Sequence, residues 1–189
     1  MRENILNIYN QAAPFQHHAG QTWYTEAHNQ AKVWAKEFDK PLPLVVGIIA
    51  ALSPRNKWES NLKNTYALLT HGEQTKVSTT NTNKVKALQI LTGKEPLSVL
   101  GGDKVRSFYR LILNPNDTSN VCIDVWALRV AVGSYTQPAR SIRSNEYQQI
   151  REAYQHVAQD LNLLPSEVQA ITWVTIRHIA TGYNHPLGI

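Results

Sequence analysis

The segment that most restricts what this chain can fold into is Leu44-Val45-Val46-Gly47-Ile48-Ile49-Ala50-Ala51-Leu52, which is apolar on every side. Asp39, Pro41 and Pro43 introduce it and Ser53-Pro54 ends it. A helix with no polar stripe has no face to give to water, so it must lie at the centre of a packed unit. The greasy run from Leu42 to Leu52 is too short to cross a bilayer, which needs about 20 apolar residues. The other elements have to be arranged around this segment.

Elsewhere the apolar spacing is helical and no strand alternation stands out. A first helix is expected over about Glu3–Ala12. Pro14 and His17-His18-Ala19-Gly20 are expected to break it from a second, Thr22–Phe38. Beyond the central segment, Trp58, Leu62, Thr65 and Leu69 share one helical face. After a polar stretch, His71–Thr82, comes a short helix carrying Val85, Leu88 and Leu91. Gly93 stops it, and Leu97–Gly102 forms the turn ahead of a helix with Val105, Phe108 and Ile112 on one face. Asn114-Pro115-Asn116-Asp117 is a turn cluster. A helix follows that begins at Asp124 and ends by Gly133, then a loop to Arg143. Ser144 is expected to cap a long helix bearing Tyr147, Ile150, Tyr154, Val157 and Leu161. Pro165-Ser166-Glu167 reads as a capping box for a last helix reaching about Thr181. The fold class is all-α.

The 189 residues suit one domain or one core made of two lobes. Lysines and arginines number 19 against 14 acids, a net charge of +5. From Lys76 to Leu113 seven basic residues face two acids, so this stretch carries the whole excess. Such a distribution favours a polyanionic partner. Cys122 is the one cysteine, which excludes an intramolecular disulfide or a Cys-rich metal cluster. No metal-ligand spacing is found among the histidines, so neither a metal nor a cofactor is expected. The N-terminus starts an amphipathic pattern instead of a signal peptide. A protein of the cytoplasm, or of a host's cytoplasm if viral, is the expectation.

Two residues stand out chemically. Asp124 lies in Val121-Cys122-Ile123-Asp124-Val125-Trp126, a carboxylate at a helix start within a greasy run. It suits an N-cap. It also suits stabilisation of the oxocarbenium-like charge that glycosidic cleavage creates. At ~4 Å and an effective dielectric of ~20, a carboxylate is worth about 4 kcal/mol to that charge, roughly a thousandfold in rate. Lys104 follows Gly101-Gly102-Asp103 in the first turn of a helix. It suits a surface or phosphate contact, or a nucleophile towards C1′ of a sugar once in its neutral form. Gly101 and Gly102 give a tight turn whose amides can hold a phosphate. Arg55, Asn56 and Lys57 sit on a loop after the buried helix, where Arg55 or Asn56 could fill the gap left by an extruded base. Lys84, Lys86, Arg106 and Arg110 complete the basic set.

With these residues in view, the chain resembles the helix-hairpin-helix (HhH-GPD) DNA glycosylase superfamily, which includes endonuclease III. The likeness covers about Leu44 to Thr181. Its specific part is the order Gly-x-Lys-Val followed by Ile-Asp-Val-Trp. Leu97–Leu113 is similar to the hairpin and the helix bearing the lysine of bifunctional members, which falls on Lys104. Val121–Val132 is similar to the segment of the catalytic aspartate, which falls on Asp124. The hairpin here reads Val99-Leu100-Gly101-Gly102-Asp103, without the family's proline, and no four-cysteine cluster motif follows the last helix.

The resemblance implies two helical lobes within a single domain, about 44–113 with the hairpin, and 1–43 plus 121–189. It implies a monomer, off the membrane, that excises a modified or damaged base from DNA, with AP-lyase activity if Lys104 attacks. Two alternatives stay open. One is a phage-type enzyme of the same fold that modifies hydroxymethylated pyrimidines and keeps the base. The other is a DNA-binding module without chemistry.

Overall fold

A computed structural model describes residues 1–136 and 138–182. Among them the chain is all-α, without a strand. The helices are α1 (Arg2–Asn10), α2 (Pro14–Glu37), α3 (Leu42–Leu52), α4 (Trp58–His71), α5 (Asn81–Leu91), α6 (Pro96–Val99), α7 (Asp103–Leu113), α8 (Val125–Val132), α9 (Ser144–Leu161) and α10 (Pro165–Thr181). A 3-10 turn, Gly72–Gln74, follows α4. The helices form two compact units. One joins Met1–Thr25 to the chain from Pro115 onward, and the other is Glu26–Asn114.

In the Glu26–Asn114 unit α3 is the axis, as its composition requires. Val45 through Leu52 are all buried, and α4, α5, α6 and α7 pack round it. Gly47 admits α6 and α5 closely: a Cβ there would lie 2.9 Å from Pro96 and 3.1 Å from Ile90.

Two flanking helices are rotated from the expected faces, α4 only in part, since Thr65 and Leu69 are buried as expected. On α4 the buried positions are Asn61, Asn64, Thr65, Leu68 and Leu69, while Leu62 is half-exposed. The asparagines are inside because each bonds backbone: Asn61 Nδ2 donates to Ile49 O at 2.9 Å and Asn64 Nδ2 to Ser78 O at 3.0 Å. On α5 Asn83, Ala87 and Ile90 are buried and Val85 is exposed. Asn83 sets that rotation, since its amide donates to Pro54 O at 3.0 Å.

In the other unit α1 packs on α8, α9 and α10 around Ile5, Ile8, Ile123, Leu128, Ile150 and Tyr154. The expected break between the first two helices is misplaced. α2 runs unbroken from Pro14, through His17-His18-Ala19-Gly20, to Glu37. Pro14 stands at the first helical position, where its missing N–H costs nothing. Gly20 is there for space: a Cβ would lie 2.4 Å from the backbone N of Ile171 in α10.

The turn at Asn114-Pro115-Asn116-Asp117 is present. The Asp117 carboxylate accepts from Ser119 N at 2.7 Å, Asn120 N at 2.9 Å and both their side chains at 2.7 Å. α8 ends on Gly133 in the left-handed conformation (φ 70) that glycine adopts without strain. The residue at the N-cap of α9 is Arg143, one ahead of Ser144, and no side chain caps that helix. Before α10, Glu167 reaches back to the Leu164 amide at 2.7 Å.

Candidate functional site

Asp124 is placed from both sides of the chain. Val121, Cys122 and Ile123 are buried and lead to it, and Tyr147 of α9 anchors them. The Tyr147 hydroxyl accepts from Ile123 N at 3.1 Å and donates to Val121 O at 2.7 Å. Asp124 is then the extended N-cap of α8, and its Oδ1 accepts from Trp126 N and Ala127 N, each at 2.9 Å. Capping is satisfied by this oxygen alone. The other oxygen, Oδ2, accepts from the indole Nε1–H of Trp173 in α10 at 3.0 Å.

The surroundings of this carboxylate are polar but sheltered. Tyr24 OH donates to Gln169 Oε1 at 3.3 Å, and Tyr154 OH lies 3.3 Å from Thr172 Oγ1. Burial pushes both phenols well above the ordinary tyrosine range. The nearby Cys122, Tyr147 and Asp124 add to the rise at Tyr24. At Tyr154 the Thr172 hydrogen bond opposes it and Asp124 adds to it. These phenols are neutral donors, not acids, at any physiological pH.

The two tryptophans that bond Asp124, Trp126 through its backbone N–H and Trp173 through its indole, each carry a guanidinium on the ring. Arg129 lies 4.6 Å from the Trp126 ring centre and Arg177 lies 4.5 Å from that of Trp173. A half-buried carboxylate with one oxygen capped and the other held by an indole can steady a developing positive charge or orient a water.

The remaining sequence-derived residues lie in the Glu26–Asn114 unit. Lys104 is the second residue of α7 and half-buried. Gly102 is the N-cap at φ 79 with no side-chain cap, so backbone amides alone form this helix start. Lys86 of α5 leans over the same turn, its Nζ 3.7 Å from where a Gly101 Cβ would be. Arg106 braces the turn by donating from Nε to Leu100 O at 2.8 Å. Lys84 Nζ donates to Thr75 O at 3.1 Å, and Arg110 is exposed in the last turn of α7.

The loop between α3 and α4 carries the other three residues. Arg55 is exposed and has φ 59, a left-handed conformation unusual for a side chain of its kind. Asn56 Nδ2 donates to Leu52 O at 3.3 Å, and Lys57 is the N-cap of α4. Among the described residues no three histidine, cysteine, aspartate or glutamate side chains gather as a metal ion would require.

A family model described as a family of unknown function, DUF7178, matches residues 1–180. The chain belongs to that family. No curated protein and no solved structure matches it. The DUF7178 match spans Asp124, Trp173 and Lys104 alike, so the Asp124 cluster lies wholly inside the family's domain.

Sequence reasoning did not single out Trp173 as part of this cluster. A signal existed. An indole in a mostly apolar helix must still find an acceptor for its N–H, and Asp124 is a half-buried carboxylate able to supply one. Tyr24 and Tyr147 were missed for the same reason, since both look like core aromatics until their hydroxyls need partners.

Proposed function

We propose that this chain is a DNA base-excision glycosylase-like enzyme, with Asp124 as the carboxylate that steadies the sugar's positive charge. The observation that carries the proposal is the hydrogen bond from Trp173 to Asp124 Oδ2. A residue needed only to cap α8 would have no use for a second donor reaching in from α10. The net charge of +5 and the basic stretch from Lys76 to Leu113 support a polyanionic substrate.

In this reading the Gly101–Gly102 turn with Lys86 contacts a phosphate, and Arg55 or Asn56 enters the stack where the base leaves it. Arg110, Lys57 and Lys84 contribute to the electrostatic attraction. Arg106 does so as well while bracing its turn. Lys104 carries a lyase step if its amine attacks C1′.

The test is a panel of duplexes containing damaged or modified bases, incubated with the wild type, Asp124→Asn and Lys104→Ala. Base release that falls roughly a thousandfold in Asp124→Asn supports the reading. A borohydride-trapped adduct that vanishes in Lys104→Ala assigns the lyase step. A heavier nucleoside in treated hydroxymethylated DNA replaces excision by base modification. Salt-sensitive binding with no altered DNA, unchanged in Asp124→Asn, leaves a binding module.

A further inference from the structure

We infer that Trp173 is the positioning residue of Asp124, and that it leaves a single lone pair of Oδ2 as the acceptor offered to a cationic sugar. The inference rests on the glycosylase reading and deepens it. A carboxylate has about four acceptor directions, two on each oxygen. Oδ1 uses both of its own on the amides of Trp126 and Ala127, and Oδ2 uses one on Trp173. Among the described residues those are its donors, which leaves one direction on Oδ2.

The torsion that turns an aspartate's carboxylate plane is broad and poorly restrained by its own rotamer. With Oδ1 pivoting on two adjacent amides, the plane is settled by where Oδ2 is tied. Trp173 supplies that tie from a rigid support. Its neighbours Thr172 and Val174 are buried, at 0% and 3% exposure, and the Arg177 guanidinium covers its ring. A cation on the ring face also draws density from the indole and strengthens the N–H as a donor. The bland alternative is that Asp124 merely satisfies a half-buried indole. The two part company once the N–H is removed and the ring kept.

The experiment compares the affinity of the full chain for two duplexes, one bearing a cationic pyrrolidine nucleotide and one a neutral tetrahydrofuran abasic nucleotide. The proteins are the wild type, Trp173→Phe, and a form with β-(3-benzothienyl)alanine at position 173, which replaces N–H by sulfur at almost the same shape. The expected result is a wild-type preference for the cationic duplex that falls about tenfold in both variants, with affinity for the neutral duplex unchanged. Variants that keep the full preference overturn the positioning role and leave the glycosylase reading standing. A wild type with no preference removes the reading itself, and the inference with it. The near-isosteric form keeps the test decisive if Trp173→Phe fails to fold.

Discussion

Gly20 of α2 lies directly against the backbone of Ile171 in α10, with room for a hydrogen and none for a methyl group. The atoms that a Cβ would strike are main-chain N and Cα at 2.4 and 2.5 Å, which cannot swing aside as a side chain can. Gly20→Ala should therefore cost about 3 kcal/mol or more, at the upper end of overpacking penalties, even though alanine is the better helix former. Urea unfolding of the two proteins measures it, and a neutral or stabilising result would show that α10 has moved away.

Asn61 is 1% exposed and connects α4 to α3 through Ile49 O, while accepting from Thr65 Oγ1 at 3.1 Å. Asn61→Ala leaves a buried carbonyl and a buried hydroxyl each short of a partner. The expected loss is roughly 2–3 kcal/mol in urea unfolding, and Asn61→Leu should do no better despite its apolar fit.

On the proposed DNA-binding reading, Arg55 is where stability and binding can be separated. Its left-handed conformation costs on the order of 1 kcal/mol, which glycine relieves while adding freedom to the unfolded chain. Arg55→Gly should leave the urea midpoint almost unchanged and weaken duplex binding with a shallower salt dependence. Arg55→Val should destabilise by about 1–2 kcal/mol, because a β-branched side chain tolerates that backbone poorly.

Asp117 predicts part of the acid limb. Burial alone would raise its carboxyl, but the hydrogen bonds from Ser119 and Asn120 outweigh that and hold it below the ordinary value of 3.8. A depressed folded-state value means that this contribution is fully present above the unfolded value and disappears as pH falls through the folded one. Asp117→Asn keeps an acceptor for the turn and does not titrate. The urea midpoint of the wild type should drop more steeply than that of Asp117→Asn below about pH 4; parallel curves would contradict this.

Asp124 and Trp173 should be strongly coupled in a double-mutant cycle. Asn is as good a cap as Asp, but its Nδ2 in place of Oδ2 would set one N–H donor against another. Asp124→Asn should cost about 1–3 kcal/mol, and adding Trp173→Phe should cost clearly less there than in the wild type. Additive losses would mean that the two side chains do not share an interaction.

Much of this architecture could be read along the chain, and the failures have physical causes. The central helix was plain because no polar residue interrupts it. α7 and α8 were legible from Gly102, Asp124 and Gly133, whose backbone and capping preferences are local. The inward face of α5 was not, and that of α4 only at Thr65 and Leu69, because buried Asn61, Asn64 and Asn83 look exposed until the carbonyls that accept from them are known. Gly20 reads as a breaker in one dimension and as a contact in three. At the candidate site Asp124 was legible as a cap within an apolar run. Its partner lies 49 positions away, and no local rule reaches that far.

The all-round burial of α3 has one more consequence. A rod wrapped by four other helices cannot be uncovered one side at a time without wetting Val45, Ile48 and Ile49 together. Its amides should be among the slowest to exchange with deuterium, opening only when residues 26–114 melt as a whole. A fragment cut between α3 and the helices that enclose it would expose an uncharged, β-branched ribbon, ready to stick to its own copies.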